Sequence, residues 1–411
     1  MTLSSTTTVD FEVFSAPPAS ALTPADADEA KALIVSEGSR LCSRCYGKQA
    51  RAIALTGSMS RGETTLKREG AFWRVLGDAT FLIVFENPVA LRTADLQTEI
   101  ERALLERGVI CKIAIVTANT ANLRHMKPHI YAYELRERGI VVGGDKDILA
   151  LIPSFAASDI PKEDGWWLLC NRMIEQLESA ALSNSFDDDC VAVQYRIAKL
   201  YLAMAACYLL AIGCYEPTYR DRARRLRELA LSNDVPDSPI DLLRFSKLVS
   251  QCTELKLNGE TVAANKAFPR WRDAVSDAES LWRWTLCRIT GSKANLSRHE
   301  LLAAIAGRQT AFARTKSWLR ATYVRPSQLT QFALRSPWLP FSTSPRYLVY
   351  GAASDLFFMA PEPDAANPEA LANIVTRLPI SAVEAREHWS WEEIAKLVVL
   401  NFRALLESNR S

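Results

Sequence analysis

At 411 residues the chain is long for one hydrophobic core, and it reads as two domains. Hydrophobic residues make up 48% and charged residues 23%, and a formal charge of +2 excludes any general attraction to nucleic acid or anionic lipid, so an anion site has to be local. The 9 cysteines are scattered, with Cys111, Cys170, Cys207 and Cys214 in apolar runs, which fits reduced thiols and a cytoplasmic location rather than a disulfide framework.

Residues 1–28 are rich in Ser, Thr, Ala and Pro with no basic start or apolar core, and read as a disordered tail rather than a signal peptide. From Asp28 to Tyr46, Leu33, Ile34, Leu41 and Cys45 fall near helical spacing. Cys42 and Cys45 form a lone CxxC with no second pair, and read as helix thiols rather than a zinc site. Arg51–Leu55 is a short buried strand, followed by a turn at Thr56-Gly57-Ser58 that opens a helix, and Thr64–Gly70 reads as a polar inserted loop. Gly77–Phe85 is a second strand, Asp95–Arg107 a helix with Leu96, Ile100 and Leu104 on one face, and Val109–Val116 a third strand. A helix over Pro128–Arg138 carries Gly139 where a glycine cap belongs, and Ile140–Val142 with Gly143-Gly144-Asp145 gives a strand and turn. This alternation predicts an α/β domain over residues 29–153.

Beyond Pro153 the periodicity becomes helical throughout, giving an all-helical domain over 154–411 with an irregular segment near 326–368. The most apolar stretch, Leu200–Cys214, is shorter than the ~20 residues of a membrane span and reads as a buried core helix, so no membrane is expected.

A strand running into Gly57-Ser58 and a helix start presents backbone N–H groups and a hydroxyl to a phosphate, and Arg61 adds a charged fork. Asp78 heads the next strand, where a metal-binding carboxylate would face the same cleft. Leu55, Thr56, Gly57, Ser58, Arg61, Gly62, Glu63 and Asp78 match a GSxxRGE…D pattern, and Tyr133-Glu134-Leu135-Arg136, Gly139 and Gly144-Asp145 a YELRxxGxxxxGD stretch. Asn171-Arg172 and Tyr215-Glu216-Pro217-Thr218-Tyr219-Arg220 with Arg222 add to them. On these residues the chain, over roughly 28–225, resembles the DNA polymerase beta superfamily of nucleotidyltransferases, in its bacterial two-domain form. The resemblance implies an α+β, nucleotidyltransferase-type mixed sheet before the helical half. It also implies Mg²⁺-dependent transfer of a nucleoside monophosphate from a nucleoside triphosphate, with Asp78 as catalytic and metal-binding carboxylate.

Such chemistry needs two carboxylates at i and i+2, on one face of a strand, and a third on the neighbouring strand. The sequence departs at both places. Thr80 stands two residues after Asp78, and the third strand has Lys112 or Ala114 where an acid is expected. Glu86 is no substitute, since eight strand residues put it ~26 Å away at ~3.3 Å per residue. Lys112 either neutralises phosphate or Asp78, or points to solvent.

Other residues carry weaker readings. His125 and His129 are four apart, but Pro128 separates them, and the Arg124–His129 spacing matches an Arg-x4-His ribonuclease motif only by coincidence. Asp187–Asp189 reads as a helix cap. Among Arg220, Arg222, Arg224 and Arg225, Arg220 and Arg224 reach a phosphate if the helical domain closes over the cleft; so does Lys199, a cation within an apolar helix. Trp166, Trp167, Trp271, Trp282 and Trp284 read as core. Two function classes stay open: an active nucleotidyltransferase with an unknown acceptor, and a catalytically silent protein that binds a nucleotide or a protein partner. A helical scaffold with the α/β half as platform is the third.

Overall fold

The sheet grows around one long strand whose odd-numbered residues are almost all apolar. In a computed structural model that describes residues 24–89, 93–183, 191–232, 237–258, 270–324, 339–360, 367–379 and 389–410, this strand, β3, runs Phe72–Phe85. Before it come α1 (Ala27–Tyr46), β1 (Ala50–Thr56), α2 (Gly57–Ser60) and β2 (Leu66–Glu69). After it come α3 (Ala94–Leu105), β4 (Val109–Asn119), α4 (Thr120–Arg124), α5 (Ile130–Arg138) and β5 (Ile140–Gly144).

The sheet order is β2-β3-β1-β5, with β4 on the other side of β3. Only the β3–β4 pair is parallel. The sheet is therefore mixed, and the fold is mixed α/β.

Period-2 alternation sorts the strands into two faces. Ala79, Phe81, Ile83 and Phe85 of β3, Ile53 and Leu55 of β1, and Ile113 and Ile115 of β4 share one face. Leu33, Ile34 and Leu41 of α1 and Leu96, Ile100 and Leu104 of α3 pack onto it as one core. At Gly38 of α1 a Cβ would fall 2.2 Å from Phe81, so helix and strand approach this closely only because no side chain intervenes. The opposite face carries Thr56, Asp78, Thr80, Lys112 and Ala114.

Several sequence expectations need correction. Thr64–Gly70 is no loop: β2 forms a hairpin with β3, pairing Leu66 with Val75 and Glu69 with Phe72 around Gly70 at φ +60°. The polar sequence hides the strand because β2 lies at the sheet edge with Lys67, Arg68 and Glu69 exposed. Of the expected tail, residues 1–23 lie outside the described ones, and the chain is already placed from Pro24, whose carbonyl accepts from Trp73 Nε1 at 3.0 Å. Asp26 then caps α1 through Asp28 N and Glu29 N. Gly139 is not among the left-handed glycines, and α5 ends without that cap.

The chain divides into two compact units, residues 1–126 with 138–153, and residues 127–137 with 154–411. The segment carrying most of α5 therefore belongs with the helices, not with the strands on either side of it. The helical unit contains α6 (Lys162–Ser183), α7 (Val191–Ala211), α8 (Tyr219–Leu231), α9 (Leu242–Asn258), α10 (Trp271–Thr290), α11 (Arg298–Gly307) and α12 (Ala311–Val324). Further helices run Pro345–Met359, Pro368–Thr376 and Trp391–Arg410.

α7 is the centre of its core. Ile197, Leu200, Tyr201, Met204, Cys207 and Tyr208 are fully buried, as expected for an apolar run too short to span a bilayer. Trp166 and Trp282 are completely buried beside it. The segment read as irregular near 326–368 is corrected in part: residues 325–338 and 361–366 lie outside the described ones, but Pro345–Met359 is a regular helix that starts with proline at its first position. The Asp187–Asp189 cap also lies outside the described residues. Among the described residues no helix is long and apolar enough to cross a membrane.

Candidate functional site

β1 delivers the turn to the polar face of the sheet. Thr56 pairs with Thr80, and Gly57 follows at φ +72°, a backbone conformation that L side chains resist. A Cβ on Gly57 would lie 3.8 Å from Thr80 Oγ1, and that hydroxyl donates to Asp78 Oδ2 at 3.4 Å. Gly57, Thr80 and Asp78 are thus contiguous.

Ser58 Oγ lies 3.3 Å from Thr64 Oγ1, and Glu63 N donates to Ser58 O at 2.8 Å, so the loop folds back on the turn. Arg61 does not stand open for a ligand. Its Nε donates to Glu63 Oε2 at 2.9 Å, with Glu63 only 3% exposed, and the guanidinium serves this buried carboxylate.

Asp78 itself is exposed, and its position depends on an irregularity. Between the pairs Arg74–Ile110 and Asp78–Lys112, three residues of β3 face one of β4, Cys111. Such a bulge re-aims the strand locally. It sets the exposed Lys112 directly beside Asp78 on the same face, and Ala114 beside Thr80. Among the described residues no group of three or more His, Cys, Asp or Glu side chains is placed to hold a metal ion. Glu86, at the far end of β3, is engaged by Arg51 Nη1 at 2.9 Å.

The other predicted phosphate ligands belong to the helical unit. Lys199 on α7 is one-third exposed and its Nζ lies 3.1 Å from Glu175 Oε2. Arg220 is exposed at the start of α8 with no partner among the described residues. Arg224 pairs with Asp221 and Glu228. Arg222 is only 4% exposed and wholly occupied: it bonds Glu134, Tyr215 and the carbonyls of Glu216 and Pro217.

His125 and His129 do not act together. His125 Nδ1 bonds the Ala121 carbonyl, whereas His129 Nδ1 accepts from Ala132 N at 3.1 Å and caps α5. In the CxxC, Cys42 is buried, which pushes its thiol up to about 12, while Cys45 is exposed.

Sequence reasoning missed three ion clusters. Glu134–Tyr215–Arg222 joins the YELR and YEPTYR stretches. Arg51 bridges Glu86 and Asp145, and that pairing with Arg51 holds the Asp145 carboxyl below its ordinary value. Arg172 and Lys199 both converge on Glu175. The available signal was a charged residue inside an otherwise apolar helical face, as for Lys199 and Arg222. Comparison with protein-family models and with curated proteins finds no match for this chain.

Proposed function

We propose that this chain is a nucleotidyltransferase-like protein that binds a nucleotide through its phosphates beside the Gly57–Ser58 turn, with transfer of a nucleoside monophosphate weak or lost. The observation that carries the reading is the register of β3 against β4, with Asp78 opposite Lys112 and Thr80 opposite Ala114. A two-ion centre requires acids where Thr80 and the β4 residues stand. The residues present offer one carboxylate, a neutral hydroxyl, a methyl group and a cation, and this donor set does not fit a pair of Mg²⁺ ions. It suits an anion instead: the Lys112 ammonium shares a face with Thr80 and with Thr56, from which the Gly57–Ser58 turn starts.

Titration with each nucleoside triphosphate, with and without Mg²⁺, tests the reading. Binding that persists in a chelator and weakens in Lys112→Met supports it. Mg²⁺-dependent label transfer abolished by Asp78→Ala would establish an active enzyme and overturn the silent form.

A further inference from the structure

We infer that a cavity in the helical unit binds a small amphipathic carboxylate, an apolar body bearing one anionic group, through Arg377. This site stands apart from the nucleotide reading, since every residue it uses lies in one compact unit. The cavity has a volume of about 350 Å³, near the lower end of the ~300–1,000 Å³ found for small-molecule pockets. It opens between α11 and the Pro345–Met359 helix, and Leu302, Ala306, Tyr347 and Leu348 give it apolar walls.

Charge decides which ligand those walls suit. Apart from His299 and Arg377, the lining comes from the stretch between Glu300 and Asp355, which holds seven Arg and Lys residues and no acid. Among the described residues no carboxylate lines the cavity. Arg377 is 26% exposed and fixed on two sides: its Nη2 donates to Asp355 Oδ2 at 2.6 Å, and its Nε to the Asn373 carbonyl at 3.3 Å. Its Nη1 has no hydrogen-bond partner among the described residues. That nitrogen lies 3.9 Å from the point where a Cβ on Gly351 would stand, and Gly351 is part of the cavity wall. The same Cβ would come within 3.1 Å of Leu302 Cδ1, so glycine keeps the way from the apolar walls to the guanidinium open. A guanidinium oriented by a carboxylate and a carbonyl, with one nitrogen to spare, is a preorganised donor for a carboxylate oxygen. A cationic ligand would be repelled there, and a neutral one would leave Nη1 to water.

The test is calorimetric titration of the full chain with octanoate and with 1-octanol, which match in length and differ in charge. Octanoate is expected to bind roughly ten-fold more tightly, the worth of one charge-assisted hydrogen bond. Arg377→Met is expected to remove that difference while octanol still binds. Arg377→Lys keeps a cation for Asp355 but loses the fork, so the same loss of preference is expected there even if Arg377→Met does not fold. Gly307→Leu changes a lining residue at the end of α11, where an added Cβ meets nothing within 4 Å. It is expected to fill the cavity and weaken both ligands roughly ten-fold or more, with no loss of melting temperature. Failure of the unmodified chain to bind either ligand overturns the inference, as does octanol binding as tightly as octanoate. So does an octanoate affinity that Gly307→Leu leaves unmoved, or a preference for octanoate that survives in a folded Arg377 variant.

Discussion

Arg222 Nη2 donates to Glu134 Oε1 at 2.7 Å, and Tyr215 OH donates to the same oxygen at 2.7 Å. The guanidinium also lies over the rings of Tyr215 and Tyr219, so an arginine from a helix start is held by charge, hydroxyl and aromatic faces together. Two stretches that look like signatures of a reaction are, in this molecule, the two halves of one buried ion pair.

Breaking that pair from one side leaves a buried charge. Arg222→Met is expected to destabilise the protein by about 3–5 kcal/mol, because Glu134 stays buried without the guanidinium. Tyr215→Phe removes the hydroxyl that donates to Glu134 and accepts from Arg222, and costs about 1–2 kcal/mol. Denaturant titration of Arg222→Met, Glu134→Gln and the double variant measures the coupling. Additive losses would show that the two residues do not act as a unit.

The cap of α5 makes stability depend on pH. His129 Nδ1 accepts from Ala132 N and therefore has to be unprotonated, and burial holds its pKa below the ordinary value of about 6.5. The unfolded chain then binds a proton on His129 at a higher pH than the folded chain. Stability is full above the unfolded value and falls as pH drops through it toward the folded one. Asp164, which accepts from Ile130 N, has its carboxyl raised by burial, so its penalty grows as pH rises just above the ordinary carboxylate range. The denaturation midpoint is expected to fall between pH 7 and pH 5.5, and the slope to flatten in His129→Asn, whose side chain still caps. An equal slope in both proteins would rule this account out.

Gly144 cannot carry a side chain. Its φ is +80°, and an added Cβ would stand 2.2 Å from the Arg51 carbonyl across the β1–β5 pair. Gly144→Ala is expected to cost about 3 kcal/mol from strain and displacement of the strands. A melting temperature unchanged within error would contradict it.

Placing a second acid on the polar face should change its chemistry. Thr80→Asp sets a carboxylate at the i+2 position from Asp78, beside Ala114 and open toward Gly57. A Mn²⁺ affinity in the ~millimolar range is expected in this variant, read by electron paramagnetic resonance, against a far weaker signal from the parent chain. Equal Mn²⁺ signals in the two proteins would mean that Thr80 is not what sets the donor set.

Much of the architecture was legible in the sequence, and the reasons differ by element. α1, β1, β3, α3 and β4 bury one face, so their apolar spacing records the core directly. β2 was hidden because an edge strand with three exposed charges has no apolar alternation to show. The helix Pro345–Met359 was hidden by its aromatic and small residues, although Ser344 before Pro345 was a start signal. At the candidate site, Asp78 and Thr80 were readable as an i, i+2 pair because a strand fixes their relation. The pairing of Lys112 rather than Ala114 with Asp78 was not, since it depends on a bulge. The Glu134–Arg222 contact spans 88 positions, and nothing local in one sequence reports it.

That contact also bears on how the chain is made. The backbone passes from one unit to the other at 126–127, returns at 137–138 and leaves again at 153–154. During synthesis α5 emerges long before the α6–α8 helices that will receive it, and the last strand of the sheet follows it directly. Part of the helical unit, residues 127–137, is thus made before the last strand of the sheet unit. Severing the chain after residue 153 would part Glu134 from Arg222, so a cut at that single joint divides the helical unit instead of releasing it whole.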